Sequence, residues 1–259
     1  MAVESALAQS RGRIEVLLVD DGSTRPETIA AIDSLVSADV RLLRQDNSGP
    51  GAARNAGIVA ALGQYVVTLD ADDYVNPEFV DACFRALTPD AVLVYGAVLF
   101  HLSDGSEYFQ VPEQALTLRD FMDGNRISSC ALFPKSHADK VGGFIDDRSI
   151  PFEDYAFFVR MLATEGNPRA VYASGAVLNC RRRAGSRSSE TTYEEGLSLT
   201  REGILRNATA GERDMMVVAA WDRLDHLHAR LNETRNLLQS SRILKLTTRL
   251  RRFQGKLRR

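Results

Sequence analysis

"VVTLDADDYVNPEF" (66–79) sets an apolar run directly before three carboxylates, Asp70, Asp72 and Asp73. Like charges packed into so few positions repel one another, so the cluster indicates a cation or a chemical task that offsets the repulsion. Mg²⁺ and Mn²⁺ take oxygen ligands and bind through one or two carboxylates together with substrate phosphates. The alternative is that these acids cap a helix and line a solvated loop. Three acids directly after a predicted strand favour the metal-phosphate interpretation.

The segments around this stretch alternate between strand-like and helix-like patterns. Short apolar runs bounded by turn residues predict strands at 14–19, 40–44, 65–69 and 91–102. Apolar residues at helical spacing predict helices at 26–36, 48–62 and 77–87. Such alternation is typical of an α/β fold with a largely parallel sheet, in which ligands collect beyond the carboxyl ends of the strands. Both acidic clusters, the one at Asp70 and the pair Asp20 and Asp21, follow predicted strands.

Beyond residue 102 the pattern is looser, and it predicts a buried strand at 128–134, a glycine turn at 140–144, a helix at 152–164 and a strand with a basic loop at 170–189. Glu153 and Asp154 lie in the first turn of that helix. A carboxylate within hydrogen-bond reach of a hydroxyl can take its proton, which makes both residues candidates for a general base. Acids at a helix start also interact favourably with the helix dipole, and this pattern alone favours that structural role.

Two further segments carry a functional and a structural interpretation. The glycine-rich turn "NSGPGAARNAG" (47–57) could bring backbone amides and Arg54 close to a phosphate, or it could be a tight turn that needs glycine. The basic loop "RRRAGSRSS" (181–189) could close over a diphosphate, or it could be a solvated run of charge.

Composition bounds the class of protein. The 259 residues are 44% hydrophobic and 25% charged, with a formal net charge of −2, as expected of a globular chain with one large domain and an appendage. No apolar run approaches the length of a membrane span, and the first residues lack a signal-peptide pattern. Three widely spaced cysteines, Cys83, Cys130 and Cys180, suit a reducing cytoplasm, which is where we expect the protein.

Taken together and in order, the motifs resemble the family 2 glycosyltransferases with the GT-A fold. The matching stretches are "IEVLLVDDGST" (14–24), "NSGPGAARNAGI" (47–58), "YVVTLDADD" (65–73), "KVGGFID" (140–146), "FED" (152–154) and "RRRAGSRS" (181–188). The resemblance implies an α/β GT-A domain, Rossmann-like with a mostly parallel sheet, over residues 1–210, followed by a helical basic tail over 211–259. It also implies inverting transfer of a sugar from a nucleotide-diphosphate donor, a UDP-sugar by preference, to the hydroxyl of a glycan or lipid-linked acceptor.

On the donor side, the resemblance gives each acid a role. Asp21 matches the acid that contacts the nucleotide base, and Arg54 lies near the base or the diphosphate. Asp70 and Asp72 match the pair that touches the ribose and a divalent metal, Mg²⁺ or Mn²⁺, on the diphosphate. Asp73 is a substitute metal ligand.

On the acceptor side, Asp154 matches the catalytic base that deprotonates the acceptor hydroxyl, and Glu153 helps to place the acceptor. Arg183 stands where many relatives carry a histidine near the metal. A guanidinium can contact the diphosphate but cannot ligate a metal, so the sequence departs from the family's pattern at this position.

A second departure concerns the start of the chain. Relatives begin with an apolar strand that covers the nucleotide, whereas this sequence starts as if within the helix that follows that strand. We therefore expect a sheet without its usual first strand, with unpaired backbone groups beside the gap. A non-catalytic relative that has lost this strand is the main alternative. A signalling receiver domain is weaker, because the strand at 91–102 holds no Ser or Thr before Ser103 and the first Lys after it is Lys135.

The tail differs from the rest of the chain in charge and pattern. Leucines at near-heptad spacing from residue 224 predict a long helix, and after Glu233 nine Lys and Arg residues occur with no acid. Residues 235–259 therefore suit an anionic membrane surface, which predicts peripheral contact with the inner face of the cell membrane. The alternative is a solvated helix that contacts a protein partner. No base-reading motif accompanies the charge, so nucleic acid is not an expected partner.

Overall fold

The computed structural model describes residues 1–12, 14–112, 115–182 and 192–240. Their contacts divide the chain into a compact unit, Met1–Met216, and a second unit that begins at Val217. The expected domain division after residue 210 stays a prediction. Arg183 and the tail from residue 241 lie outside the described residues, as does most of the predicted basic loop.

Helices and strands alternate along the first unit. The α-helices are Ala2–Leu7 (α1), Pro26–Ser34 (α2), Pro50–Ala60 (α3), Phe79–Ala86 (α4), Lys135–Lys140 (α5), Glu153–Leu162 (α6), Tyr193–Asn207 (α7) and Ala210–Ser240 (α8). The strands are Val16–Asp21 (β1), Val40–Gln45 (β2), Tyr65–Val67 (β3), Tyr74–Val75 (β4), Ala91–His101 (β5), Glu107–Gln110 (β6), Ala115–Leu116 (β7), Ala131–Pro134 (β8) and Arg169–Arg181 (β9). The predicted strands and helices are present with small shifts at their ends, while β4, β6, β7, α5 and α7 lack a counterpart in the sequence predictions.

The strands form two sheets. β1 and β2 pair in parallel, with Val16 opposite Val40 and Asp21 opposite Gln45. The larger sheet has the order β3-β8-β5-β9-β4, with β6 added beside β5 and β7 beside β9. Within the described residues, β1 pairs only with β2 and β3 only with β8. Each of these two strands therefore has one edge without a strand partner.

The α/β class is confirmed, but the strand directions are mixed rather than mostly parallel. Parallel pairing joins β1 to β2 and β5 to β9, whereas the other ladders are antiparallel. The reason at β5 and β6 is a short turn, in which the Leu102 amide donates to the Ser106 carbonyl at 2.9 Å and Gly105 has a φ of 83°. Strands joined by so short a turn must run in opposite directions.

The core lies on both faces of the larger sheet. On one face, Phe79 and Cys83 of α4 pack in a cluster that includes Val94 and Val98 of β5. On the other face, Phe157 of α6 contacts Phe133 of β8, with ring centroids 5.1 Å apart. Side chains alternate between the faces of a strand, so a sheet covered on both sides needs the nearly continuous apolar run seen in β5.

The second unit holds the larger part of α8, which confirms the predicted long helix. Leu224, Leu227 and Leu231 are exposed on this helix. Among the described residues, no helix is both long and apolar enough to cross a bilayer.

Candidate active site

Three charged side chains from distant parts of the chain meet where β3 ends. Arg54 of α3 donates one hydrogen bond to Asp70 and another to Glu153, each at 2.7 Å. The side chains of Arg54 and Glu153 are 13% and 9% exposed, whereas that of Asp70 is 39% exposed. Burial alone would lower the pKa of Arg54, but the charges of Asp70 and Glu153 outweigh this effect and hold the pKa above its ordinary value. Arg54 therefore stays cationic and ties two carboxylates together.

The glycine-rich turn allows α3 to take this position. Gly49, directly before α3, has a φ of 95°, a conformation that glycine adopts without a steric penalty. At Gly51 an added Cβ would lie 2.9 Å from the carbonyl oxygen of Ile145, so only glycine permits this close approach. Asn55 then exchanges two hydrogen bonds with the backbone of Phe144, at 2.8 and 2.9 Å. This geometry supports the structural interpretation of the glycines.

Asp154 lies beside Glu153 at the start of α6. One carboxylate oxygen accepts a hydrogen bond from the Tyr155 amide at 2.7 Å, and the other accepts from Asn125 at 3.1 Å. Burial raises the pKa of Asp154 to about 6, and the neighbouring Glu153 adds to the rise while Arg54 opposes it. A carboxylate with such a pKa is ionised at neutral pH and can still take up a proton.

Two uncharged residues that the motifs did not reveal contact these acids. The Ser129 hydroxyl donates to Asp70 at 2.9 Å, and the Asn125 amide donates to Asp154. Both lie between the 3₁₀ helix Leu118–Phe121 and β8. The sequence carries no charge cluster or glycine pattern there, so their proximity to the acids became visible only in the fold.

Within the acidic cluster that follows β3, Asp72 and Asp73 differ in exposure. Asp72 is exposed, whereas Asp73 is 6% exposed and accepts a hydrogen bond from the Arg181 amide at 3.0 Å. Burial raises the pKa of Asp73 to about 6, although the bond from Arg181 opposes the rise. Asp73 therefore ties the start of β4 to β9, whereas the Asp72 carboxylate is open to solvent.

A metal ion at this cluster would need oxygen ligands from a bound substrate in addition to the protein carboxylates. Across residues 1–12, 14–112, 115–182 and 192–240, no group of three or more His, Cys, Asp or Glu side chains is placed to hold an ion. Mg²⁺ and Mn²⁺ are commonly bound by one or two carboxylates plus substrate phosphates, and Asp72 can supply such a carboxylate. The donor set is thus compatible with a cation shared with a diphosphate.

Asp21 at the end of β1 holds the turn that leads into α3. Its carboxylate accepts hydrogen bonds from the amides of Ser48 and Gly49 and from the Gln45 side chain, each at 2.8 Å. Burial alone would raise the pKa of Asp21, but these bonds outweigh it and lower the pKa. The carboxylate is therefore engaged by the protein itself in this structure.

An open groove lies at the carboxyl ends of β1 and β2. It encloses about 640 Å³ and is lined by Asp20, Gly22, Ser23, Ile29, Arg44, Gln45 and Asp46. A second depression of about 280 Å³ beside it shares Gly22 and Ser23 and adds Asp21. Neither is lined by Asp70 or Asp154. The groove and the carboxylates around Arg54 are therefore separate parts of the candidate site.

His101 takes part in a polar network next to the acidic cluster. Its ring nitrogens lie 2.7 Å from Glu107, 3.1 Å from Asn179 and 3.3 Å from the Tyr74 hydroxyl. The strand pairing explains this network, because β6 brings Glu107 opposite His101.

The fold has a counterpart among solved glycosyltransferases. The crystal structure of S. aureus TarS matches 70% of this chain and 34% of that one, with a TM-score of 0.53 and 19% sequence identity. At this identity the likeness concerns the fold. The sequence pattern of glycosyl transferase family 2 matches residues 1–142, and the chain belongs to that family.

Curated relatives include proteins of polysaccharide synthesis. The succinoglycan biosynthesis protein ExoO of Rhizobium meliloti is 31% identical over 231 residues, which cover 79% of this chain and 63% of ExoO. The chondroitin synthase of Pasteurella multocida is 37% identical over 93 residues, which cover 35% of this chain and 10% of the synthase. The chain thus spans less than two thirds of the length of these relatives.

Proposed function

We propose that this protein is an inverting glycosyltransferase that moves a sugar from a nucleotide-diphosphate donor to an acceptor hydroxyl, with Asp154 as the general base. The observation that carries the proposal is the setting of Asp154 beside the group formed by Arg54, Asp70 and Glu153. A general base works best when its pKa lies near the working pH. The pKa of Asp154, raised by burial to about 6, meets that condition.

The proposed reaction is a single nucleophilic displacement at the anomeric carbon of the sugar. The Asp154 carboxylate takes the proton of the acceptor hydroxyl while the hydroxyl oxygen forms a bond to the anomeric carbon of the sugar. The bond from that carbon to the diphosphate breaks, and the nucleoside diphosphate leaves with the electron pair. Attack from the side opposite the leaving group inverts the anomeric carbon. Asp154 then returns its proton to solvent.

Arg54 and Glu153 have organising roles in this proposal. Because Arg54 already donates to two carboxylates, we assign it to holding Asp70 in place rather than to direct contact with the diphosphate. Glu153 accepts a hydrogen bond from Arg54. We therefore assign Glu153 to holding the start of α6, which carries Asp154, rather than to direct contact with the acceptor. Asp70 keeps enough exposure to meet the donor.

The donor would lie between the groove and the acidic cluster. We place the nucleotide in the groove at the ends of β1 and β2, beside the turn that Asp21 holds, and favour a UDP-sugar as the donor. Asp72 would hold a divalent metal, Mg²⁺ or Mn²⁺, together with the diphosphate, and the buried Asp73 would support that loop. When bound, such a metal supplies positive charge that offsets the charge on the departing diphosphate.

The setting is proposed from the relatives. ExoO is named for succinoglycan biosynthesis and the Pasteurella multocida enzyme for chondroitin synthesis. We propose a glycan or lipid-linked acceptor in bacterial surface polysaccharide or glycoconjugate synthesis, at the cytoplasmic side of the membrane. Peripheral membrane contact through 235–259, and a role of Arg183 at the diphosphate, remain predictions about residues that lie largely outside the described part of the chain.

Calorimetric titration with UDP and with GDP tests the donor side. We expect micromolar binding of UDP that requires Mn²⁺ and is lost in Asp72→Ala. Asp214→Ala, which removes an exposed carboxylate from α8, is the matched control and should bind as the wild type does. A folded wild-type protein that binds neither nucleotide would contradict the proposal and favour a non-catalytic relative. Within the described residues, β1 and β3 each have one edge without a strand partner, and this observation favours the alternative.

A further inference from the structure

We infer that Asn125 is a positioning residue for Asp154: its side-chain amide holds the carboxylate in a fixed orientation and favours the ionised form. The inference rests on the proposed function, since it deepens the account of how the base is prepared. It concerns a neutral residue in a segment to which neither the motifs nor the family resemblance gives a role.

The orientation of the Asn125 amide is fixed by a second hydrogen bond. Its carbonyl oxygen accepts from the Ile127 backbone amide at 3.3 Å, while its nitrogen donates to Asp154 at 3.1 Å. A backbone amide can only donate, so the oxygen must face Ile127 and the NH₂ group must face the carboxylate. The contact with Asp154 is therefore a hydrogen bond from donor to acceptor.

The segment around Asn125 is held against α6 and α7. The Tyr155 hydroxyl donates to the Phe121 carbonyl at 2.8 Å, and Arg201 donates to the Met122 carbonyl at 2.5 Å. Phe121 is fully buried. Gly124 has a φ of 147° and lies against the Tyr193 hydroxyl. These contacts hold Asn125 next to the first turn of α6, where Asp154 lies.

The charges around Asp154 explain why a neutral donor suits this position. Glu153 of α6 and Asp70 beyond β3 carry the same sign and disfavour ionisation, whereas Arg54 of α3 favours it. A hydrogen bond to the charged form favours that form. A second cation here would form an ion pair and weaken the base, but an amide orients the carboxylate without neutralising it.

Two variants separate the positioning role from a structural one. Asn125→Asp keeps the shape and the acceptor for the Ile127 amide but puts a second carboxylate where the donor was. Asn125→Ala removes both bonds. Asn207→Asp is the control, since the Asn207 amide donates to the Gly203 carbonyl rather than to a carboxylate. Thermal unfolding of each variant establishes that it is folded.

The first readout needs no substrate. In protein with ¹³C-labelled aspartate, the carboxyl signal of Asp154 is identified as the one missing in Asp154→Asn, and its shift is followed with pH. We expect the midpoint to rise by about one pH unit or more in Asn125→Asp, where the two carboxylates titrate as a pair, and by less in Asn125→Ala. Asn207→Asp should leave the midpoint unchanged. An unchanged midpoint in folded Asn125→Asp overturns the inference.

The second readout separates this inference from the proposed function. Release of UDP from a UDP-sugar is measured against pH, and we expect the acidic limb of kcat/KM in Asn125→Ala to move to higher pH, in step with the NMR midpoint. If the midpoint moves while the wild-type protein releases no UDP from any donor, the positioning contact stands and the transferase proposal fails. If the wild type turns over and Asn125→Ala has an unchanged pH profile, the transferase proposal stands and the positioning role fails.

Discussion

Arg54 and Glu153 are 99 positions apart in the sequence, and their side chains meet at 2.7 Å. The contact joins α3, which follows the glycine-rich turn, to α6, which begins with the proposed base. Both partners are largely buried, and the guanidinium also binds Asp70. The pair therefore links the two parts of the chain on which the proposed chemistry depends.

Removal of the Arg54 charge tests this link. Arg54→Met leaves Glu153 buried beside Asp70 without the guanidinium between them, and we expect a loss of roughly 2–4 kcal/mol in the free energy of unfolding, measured with urea at neutral pH. Arg85→Met is the control, since Arg85 forms an exposed pair with Asp81 that should contribute less than about 1 kcal/mol. Equal losses in the two variants would contradict a structural role of Arg54.

The lowered pKa of Asp21 predicts a pH-dependent contribution to stability. A carboxyl group whose pKa is lower in the folded state binds fewer protons there than when unfolded, so its contribution is present above the unfolded pKa, about 3.9, and is lost as the pH falls through the folded value. Asp21→Asn should therefore cost about 1–3 kcal/mol at pH 7 in urea unfolding. The cost should shrink toward pH 3, and a cost independent of pH would contradict the assignment.

A buried ion pair fixes the start of α8. Arg160 of α6 lies 3.3 Å from Glu212, and a second oxygen of Glu212 accepts from the Thr209 amide at 2.6 Å. Glu212→Gln leaves the Arg160 charge buried with a neutral partner, and we expect a loss of roughly 2–4 kcal/mol by urea unfolding. Glu233→Gln, an exposed position on the same helix, should change stability little. Similar stability of both variants would contradict the account of this pair.

The raised pKa of Asp154 predicts the pH dependence of turnover. The base must be ionised to accept a proton, so kcat/KM for UDP release should fall as the pH drops below about 6 and level off at neutral pH. A plateau that extends unchanged to about pH 4, the ordinary range of a carboxyl group, would contradict the role of burial.

Local patterns in the sequence predicted most of the elements that carry the site. Apolar runs between turn residues located β1, β2 and β5, because a buried strand needs such a run whatever it pairs with. The direction of pairing was harder to predict, since β8 and β6 join the sheet through contacts that local periodicity does not encode. The resemblance pointed to Asp70 and Asp154 as site residues, and the roles it implies for them stay predictions.

Long-range contacts were the part that the sequence did not reveal. Arg54 was expected near the donor, but its engagement with two carboxylates depends on the packing of α3 against α6. Asn125 and Ser129 carry no charge and lie in no motif, so the sequence did not predict that they contact the acids. The burial of Asp73 follows from the pairing of β4 with β9. A strand of two residues is too short to be predicted from local sequence patterns.

Turnover by Asp154→Asn is the decisive measurement of whether Asp154 acts as the general base. Wild-type protein and the variant are incubated with Mn²⁺ and a panel of UDP-sugars, and released UDP is measured with water or added glycan as acceptor, beside titrations that establish UDP binding by both. We expect UDP release by the wild type and a loss of about 10²–10⁴-fold in the variant, with UDP binding retained. A variant that releases UDP as fast as the wild type would contradict the assignment of Asp154 as the base.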